Sequence, residues 1–135
     1  YFACGTDEEI DLMTRIWMGY SRYKCALTAV YDGKPCGMAI LFLMPYKKVA
    51  HHCMAYVVVP PEFQKKGVGT ALVKNIVHLG HSYFRQERIH FEIFGDSPLL
   101  KIMEKQKYNF ICKQDNYIRI GDKFAPRQVW EKVYL

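Results

Sequence analysis

Val-Val-Val-Pro-Pro-Glu-Phe-Gln-Lys-Lys-Gly-Val-Gly-Thr, residues 57–70, is the stretch that decides the fold. Its three valines favour a buried strand, because β-branched side chains pack well on a pleated surface. Pro60 and Pro61 end that strand, since proline has no N–H to donate to a neighbouring strand. After Gly67, apolar residues return at helical spacing. The stretch therefore predicts a strand, a turn and an amphipathic helix in succession.

The turn and the first helical residues, 64–70, predict an anion-binding site. N–H groups in the first turn of a helix have no intrahelical acceptor, and the helix dipole adds positive charge there. Gly67 and Gly69 let the backbone bend and approach a ligand where a Cβ would collide. Lys65 and Lys66 add charge at the rim. This combination is typical of a phosphate site.

Two better-known glycine signatures do not match this turn. A dinucleotide fingerprint needs a third glycine, and a P-loop needs a lysine before the Ser or Thr. What remains is Gln64-x-x-Gly67-x-Gly69 after a valine-rich strand that ends in proline. This pattern resembles the pyrophosphate loop of the GNAT superfamily of acyl-CoA-dependent N-acetyltransferases, Gln/Arg-x-x-Gly-x-Gly/Ala. The resemblance spans roughly residues 23–135.

The rest of the chain predicts a mixed α/β order with one clear crossover. The predicted elements are a helix from Thr6 of about four turns, a hairpin of 26–31 and 37–44, a strand 51–59, a helix 67–84, a strand 88–94, a helix 98–108, and a hairpin of 110–120 and 128–133. The resemblance implies a central mixed, mostly antiparallel sheet with flanking helices. It also implies a V-shaped splay between the fourth and fifth family strands, here 51–59 and 88–94. We expect residues 1–135 to form one GNAT-like domain, with or without the family's first strand and helix, which would precede Tyr1.

Composition bounds the class of protein further. At 135 residues and 50% hydrophobic, the chain is long enough for one real core. Its longest apolar run, residues 38–44, is far below the ~20 residues that a bilayer span requires, so we expect no membrane association. Five cysteines without a Cys-x-x-Cys pair predict reduced thiols in the cytoplasm, and neither a disulfide framework nor a metal site.

Net charge is +6, from 19 Lys and Arg against 13 Asp and Glu. Part of that charge can serve the phosphates of a coenzyme, and part an anionic partner such as RNA. The basic residues are scattered rather than clustered, which favours a solvated surface, so nucleic acid is not the expected partner. The expected partner is a small-molecule or peptide amine, and the oligomeric state is open, with a homodimer among the options.

The resemblance assigns the coenzyme site to backbone and loop groups. Val57 and Val59 would bind the pantetheine arm through N–H and C=O, and an N–H near Val58 would polarise the thioester oxygen. The alternative is that these valines are sheet core, and both interpretations are compatible because the bonds use backbone. The residues that would surround the pyrophosphate are Gln64, Lys65, Lys66, Gly67, Val68, Gly69 and Thr70.

The proton-transfer groups are less well determined. Many relatives have a glutamate where this chain has Cys53, which is better interpreted as a small buried residue than as a nucleophile. His51 or His52 is a candidate base, and the alternatives are a solvent relay or simple polarity at the end of a strand. Glu92 and Asp96 could bind a cationic substrate or act as bases. The simpler interpretation is that Glu92 is solvated or cap-bonded and that Asp96 caps the next helix.

The general acid is also uncertain. Many relatives carry a tyrosine about seven residues after an Asn-Pro, and counting from Ser97-Pro98 reaches Glu104 instead. Tyr108 is nearby but one turn away, and a thiolate of ordinary basicity can also leave unaided. The favoured function is direct acetyl transfer from acetyl-CoA to a primary amine in a ternary complex. The alternative is a non-catalytic acyl-CoA-binding relative with a regulatory or interaction role.

Overall fold

A computed structural model of the protein describes residues 4–134. Residues 1–3 and Leu135, which we expected to belong to the same domain, lie outside the described residues. The helices are α1 (Asp7–Gly19), α2 (Val68–Ser82) and α3 (Leu99–Lys105), and the strands are β1 (Ala26–Tyr31), β2 (Lys34–Leu43), β3 (His52–Val58), β4 (Arg88–Phe94), β5 (Asn109–Ile120) and β6 (Lys123–Val133). The predicted order of elements is confirmed.

All six strands form one sheet, in the order β1-β2-β3-β4-β6-β5. Neighbouring strands are antiparallel except β3 and β4, which pair in parallel because α2 carries the chain across one face between them. The fold is therefore a mixed α/β fold with a mostly antiparallel sheet, as the sequence predicted. Ala39, Ile40 and Leu41 of β2 are all buried, so that strand is covered on both faces.

The parallel pair separates partway along its length. β3 and β4 pair from His52 and Arg88 as far as Ala55 and Phe91, and within residues 4–134 no further pairing joins them. Each strand stays paired on its other side, β3 with β2 up to Val58 and β4 with β6 up to Phe94. The V-shaped splay that the resemblance implied is therefore present, with its open end at the carboxyl ends of both strands.

Several predicted boundaries differ from the structure. The third helix is only Leu99–Lys105 rather than 98–108, since Lys107 has a φ of +56° and turns the chain into β5. The hairpin strands β2 and β6 begin earlier than predicted, at Lys34 and Lys123, because their turns are tighter than the Gly, Pro and Asp content suggested. His51 lies just before β3 rather than inside it.

Helix α2 packs its apolar stripe on one face of the sheet. Its buried residues are Val68, Leu72, Val73, Ile76, Val77 and Gly80. Full burial of a Val, Leu or Ile side chain is worth about 1.5–3 kcal/mol, so this stripe anchors the helix that follows β3. Gly37 of β2 makes the close approach possible: a Cβ there would lie 2.9 Å from Leu72 Cδ1 and 3.0 Å from the Val58 carbonyl oxygen.

Helix α1 covers the opposite face. Along β3 the odd-numbered residues, such as Ala55 and Val57, are buried in the core beneath α2, whereas the even-numbered residues face the other way. Tyr56 meets Trp17 of α1 with ring centroids 6.1 Å apart. The start of α1 has the predicted form, because Thr6 and Glu9 make a capping box. The two faces of β3 therefore meet different helices.

Replacing Gly37 with alanine should lower the free energy of unfolding by about 1–3 kcal/mol, the usual cost of overpacking a core. The new Cβ meets a backbone oxygen as well as Leu72, and backbone cannot move aside cheaply. Gly19→Ala is the matched control, since that position has helical φ and open space. Urea unfolding measures both variants. Equal stability of Gly37→Ala and the parent would contradict this packing.

Candidate active site

The splay between β3 and β4 opens a cavity of about 500 Å³. Ala55 and Phe91, the last paired residues, form its closed end, and the walls are the diverging strands. The turn before α2 lies at one side, and the start of α3 lies at the other. A volume of this size is in the range of small-molecule and cofactor sites, which are about 300–1,000 Å³.

One end of the cavity is formed by the turn before α2 and the first residues of that helix. Gly67, whose φ is +82°, is the N-cap residue of α2, and no side chain in the described part of the protein caps that end. Its first N–H groups are therefore available to a ligand. Lys65 is also left-handed, with a φ of +60°, and such turns direct successive N–H groups into a concave surface. This end carries positive charge from backbone, helix dipole and Lys65.

Gln64 and Gly69 shape this end of the cavity. The Gln64 side-chain amide donates to the Val59 carbonyl oxygen at 3.0 Å, which ties the turn back to the end of β3. A Cβ at Gly69 would stand 3.4 Å from Ile102 of α3 and 3.9 Å from Val59. A methyl group would therefore fit at position 69 in ordinary van der Waals contact, and only a larger side chain would collide with Ile102 across the passage between α2 and α3. Gly67, in contrast, is needed for its left-handed backbone.

Eight of the ten residues that the sequence assigned to the coenzyme meet in this cavity. They are Val57, Val58, Val59, Gln64, Lys65, Gly67, Gly69 and Thr70. The other two point elsewhere. Val68 is buried in the core under Gly37. The Lys66 ammonium stands over the rings of Tyr31, at 5.5 Å, and Phe63, at 5.7 Å, so it fastens the turn to β1.

The other end of the cavity carries a carboxylate. Glu92 of β4 accepts from Tyr56 Oη at 3.2 Å through Oε1, and from Arg127 Nε at 2.5 Å through Oε2. Its side chain is 15% exposed. The interpretation of Glu92 as a solvated or cap-bonded carboxylate is therefore wrong, because both oxygens are bound by side chains from neighbouring strands. Burial, and then the charge of Glu92, raises the pKa of Tyr56 to about 12.

The two candidate histidine bases lie away from the cavity. His52 starts β3 and His51 precedes it, so both lie where the parallel pair begins, at the opposite end from the cavity. At ~3.3 Å per residue, His52 is roughly 17 Å along the strand from Val57. The two rings contact each other, and His52 stacks on His90, with centroids 5.3 Å apart. Burial and the neighbouring histidines lower the pKa of His52.

The candidate acids do not meet in the cavity either. Glu104 is exposed on α3, whose cavity-facing residues are Leu99 and Ile102. Tyr108 is buried beside Phe91, and burial raises its pKa to about 12. The count from Ser97 reached a residue that lies within α3 but on its exposed side, so the count did not locate an acid in the cavity. The Ser97 hydroxyl accepts from the Leu99 N–H at 3.3 Å.

Cys53 occupies the position of the family's glutamate and is fully buried on the α2 side of β3. Burial raises the pKa of its thiol to about 12. A thiol that keeps its proton is a poor nucleophile, so the interpretation as a small core residue agrees with the structure.

Sequence reasoning did not predict that Tyr56, Glu92 and Arg127 contact one another. Alternation along the strands would have placed Tyr56 and Glu92 on one face.

The model of the acetyltransferase (GNAT) family matches residues 1–98, which is more than two thirds of the chain. The protein therefore belongs to the GNAT acetyltransferase family, whose members use acetyl-CoA and act on amine acceptors in general. Among proteins with curated descriptions, none matches the chain in sequence.

Solved structures agree with this fold. One is ribosomal-protein-alanine N-acetyltransferase from Brucella melitensis, with a TM-score of 0.77 and 14% identity over 91% of this chain and 77% of that one. Another is an N-acetyltransferase from Staphylococcus aureus Mu50, with a TM-score of 0.76 and 14% identity over 98% and 79%. A third is yncA from Salmonella typhimurium with its cofactor acetyl-CoA, with a TM-score of 0.81 and 13% identity over 97% and 78%.

Two further observations concern the described residues alone. None of the helices within residues 4–134 is both long and apolar enough to cross a membrane. Over the same residues, the structure holds no group of three or more His, Cys, Asp or Glu side chains arranged to bind a metal ion.

The rate of thiol labelling should differ between Cys53 and Cys112. Because Cys53 is fully buried and burial raises the pKa of its thiol to about 12, its thiolate is scarce at pH 8 and it should react slowly there. Cys112 is partly exposed and should react with iodoacetamide much sooner. Mass spectrometry of the labelled peptides gives both rates, with urea-unfolded protein as the control. Equal rates in the folded protein would contradict the burial of Cys53.

Proposed function

We propose that this protein is an N-acetyltransferase that moves the acetyl group of acetyl-CoA to a primary amine by direct transfer in a ternary complex. The observation that carries the proposal is the meeting of the β3–β4 splay with the uncapped start of α2. The splay offers unpaired strand edges to an extended chain, and the helix start offers N–H groups to phosphates. Together they match a long, flexible molecule with a diphosphate partway along it.

The residues that line the cavity fit the successive parts of acetyl-CoA. Backbone N–H groups from Gly67 onward, with Lys65, would hold the diphosphate. Backbone groups of β3 after Ala55 would bond the pantetheine arm, since β4 has moved away from them. Gln64 already bonds the Val59 carbonyl, so we assign Gln64 to holding the turn in shape and leave the Val59 oxygen one further lone pair for a ligand.

The charges along the cavity suit a negative and a positive partner at opposite ends. The charged residues that line it are Lys65 at the turn, Glu92 next to the last paired residues, and Asp96 beyond the end of β4. An amine carries positive charge before it reacts, so the acidic end favours its approach. Correct placement of two reactants is worth about 7–11 kcal/mol of a reaction barrier, which is why this chemistry does not require a protein nucleophile.

The free cysteines and an edge strand of the sheet bear on location and assembly. We propose a cytoplasmic location, which five free cysteines support because a reducing compartment keeps thiols unpaired. The acceptor is a small-molecule or peptide amine. A homodimer is retained as a proposal, supported by the long edge strand β5 with its exposed Phe110, Ile111 and Tyr117.

Titration calorimetry with acetyl-CoA tests the coenzyme site. The parent should bind it with a Kd in the micromolar range, and Gly69→Leu should weaken binding at least tenfold, because the new side chain projects toward Ile102 across the passage. Asn75→Leu is the matched control: it adds a similar side chain to an exposed position of α2 and should bind like the parent.

Each outcome of this titration has a definite meaning. Loss of binding in Gly69→Leu alone supports the site. No binding by the parent, or equal binding by parent and Gly69→Leu, contradicts it. Binding without acetyl transfer to any amine would favour the non-catalytic acyl-CoA-binding alternative.

A further inference from the structure

We propose that a second cavity, between α1 and the sheet, holds an apolar group of the acceptor, so that this protein selects primary amines with a branched alkyl or aromatic substituent. This assignment rests on the proposed function, because it concerns the molecule that receives the acetyl group. It narrows the acceptor from any primary amine to one that carries an apolar group.

The second cavity has a volume of about 230 Å³ and lies against one side of α1. The residues that line it come from α1, β2 and β3, and they are Met13, Thr14, Trp17, Met18, Met38 and Val58. Met38 and Val58 are opposite each other in the β2–β3 register. Both face α1, because Gly37, next to Met38, faces α2 and successive residues of a strand point to opposite faces. We call this cavity the α1 pocket.

The lining of the α1 pocket is apolar. Five of its six residues are Met, Trp or Val, and none of the six is charged. The sixth is Thr14, whose hydroxyl donates to the Ile10 carbonyl oxygen at 2.8 Å, so its donor is already used within the helix. A charged group would lose its water here without compensation, whereas an apolar group gains free energy by leaving water. The pocket therefore favours an apolar occupant.

The size of the α1 pocket suits a small substituent. An apolar cavity of about 150 Å³ holds a benzene molecule, so this pocket has room for a phenyl ring or a branched alkyl group. Three of the lining residues are methionines, whose unbranched side chains adapt to groups of different shape. We therefore expect selection for apolar over polar substituents rather than for one particular shape.

The α1 pocket adjoins the cavity in the splay. Val58 lines both. Tyr56 lines the splay cavity and contacts Trp17 of the pocket, with ring centroids 6.1 Å apart. The start of α2, which would hold the diphosphate, is on the opposite side of the sheet from α1. An acceptor therefore approaches the thioester from the α1 side, past Tyr56 and Val58, and a substituent near its amine reaches the pocket.

Occupation of the pocket can be measured without acetyl transfer, because Trp17 lines it, whereas Trp130, the second of the two tryptophans, lies in β6 and packs on Phe110. Titration with 3-methylbutylamine should shift the indole N–H signal of Trp17 in ¹H–¹⁵N spectra and leave that of Trp130 in place. Trp17→Phe assigns the two signals. Ethylamine, which lacks the branched group, should shift neither signal at the same concentration.

Rates of acetylation give the second measurement. Ethylamine and 3-methylbutylamine have amines of nearly the same basicity, so a difference between them reports the substituent. With acetyl-CoA, kcat/KM for 3-methylbutylamine should exceed that for ethylamine by about 10–100-fold, the usual gain from placing such a group in an apolar pocket. The second amine of 1,4-diaminobutane is charged, so this compound should gain nothing over ethylamine. CoA release measured with a thiol reagent gives all three values.

Three variants locate the preference. Met18→Glu puts a carboxylate at an exposed position that lines the pocket, and should remove the preference for 3-methylbutylamine and raise kcat/KM for 1,4-diaminobutane severalfold. Thr14→Phe reduces the volume of the pocket, and should remove the preference without favouring the diamine. Leu12→Glu is the matched control: it adds the same charge at an exposed position of α1 outside the pocket, and should keep the preference of the parent.

Several results would overturn the assignment. Equal kcat/KM values for ethylamine and 3-methylbutylamine in the parent contradict it, and so does a preference that survives in both Met18→Glu and Thr14→Phe. An equal loss in Leu12→Glu would show a structural effect. A Trp17 signal that 3-methylbutylamine does not shift contradicts the pocket whether or not the protein transfers acetyl groups. A parent that binds acetyl-CoA but acetylates none of the three amines also contradicts it, whereas a parent that does not bind acetyl-CoA contradicts the proposed function.

Discussion

The architecture of the site depends on one constraint: β3 and β4 stop pairing after Ala55 and Phe91, although each continues to pair with its other neighbour. Parallel strands that stayed together would have no cavity between them. Separation leaves backbone groups of β3 without strand partners, and such groups are costly unless water or a ligand satisfies them. The gap therefore favours an extended polar ligand over a closed sheet.

Packing on both faces keeps the gap in place. Helix α2 is held to the sheet by its buried stripe and by the close approach at Gly37, and its start is thereby fixed beside the open end of the gap. Helix α3 closes the other side through Leu99 and Ile102. Because α2 connects β3 to β4, one crossover sets both the parallel pairing and the anion-binding end. The proposed coenzyme site is thus a consequence of topology as much as of the glycine motif.

Charge differs between the two ends of the cavity. The turn at residues 64–70 contributes N–H groups, the helix dipole and Lys65, whereas Glu92 stands at the end near the last paired residues. Arg127 and Tyr56 hold Glu92 from two different strands, so its geometry is fixed by the sheet itself. A protein with a net charge of +6 thereby presents a carboxylate at the point where an amine would approach.

Sequence reasoning located the elements and the turn before α2 because those features depend on local patterns. The run of valines, the two prolines and the glycine spacing all act within fifteen residues. It did not locate the Glu92 network, since Tyr56, Glu92 and Arg127 meet only when three strands are in register. The same reason explains why the base was misplaced. Polar side chains near a strand suggested His51 or His52, but the register puts both where the β3–β4 pair begins, away from the cavity. The third helix was predicted to be too long, because no local sequence pattern indicated that Lys107 has a left-handed backbone.

A crystal structure of the protein with acetyl-CoA tests the central claim most directly. The account predicts the diphosphate on the N–H groups of Gly67, Val68 and Gly69, the pantetheine arm along β3 after Ala55, and the acetyl group near Glu92. Acetyl-CoA bound elsewhere, or β3 and β4 paired along their full length in the complex, would contradict it.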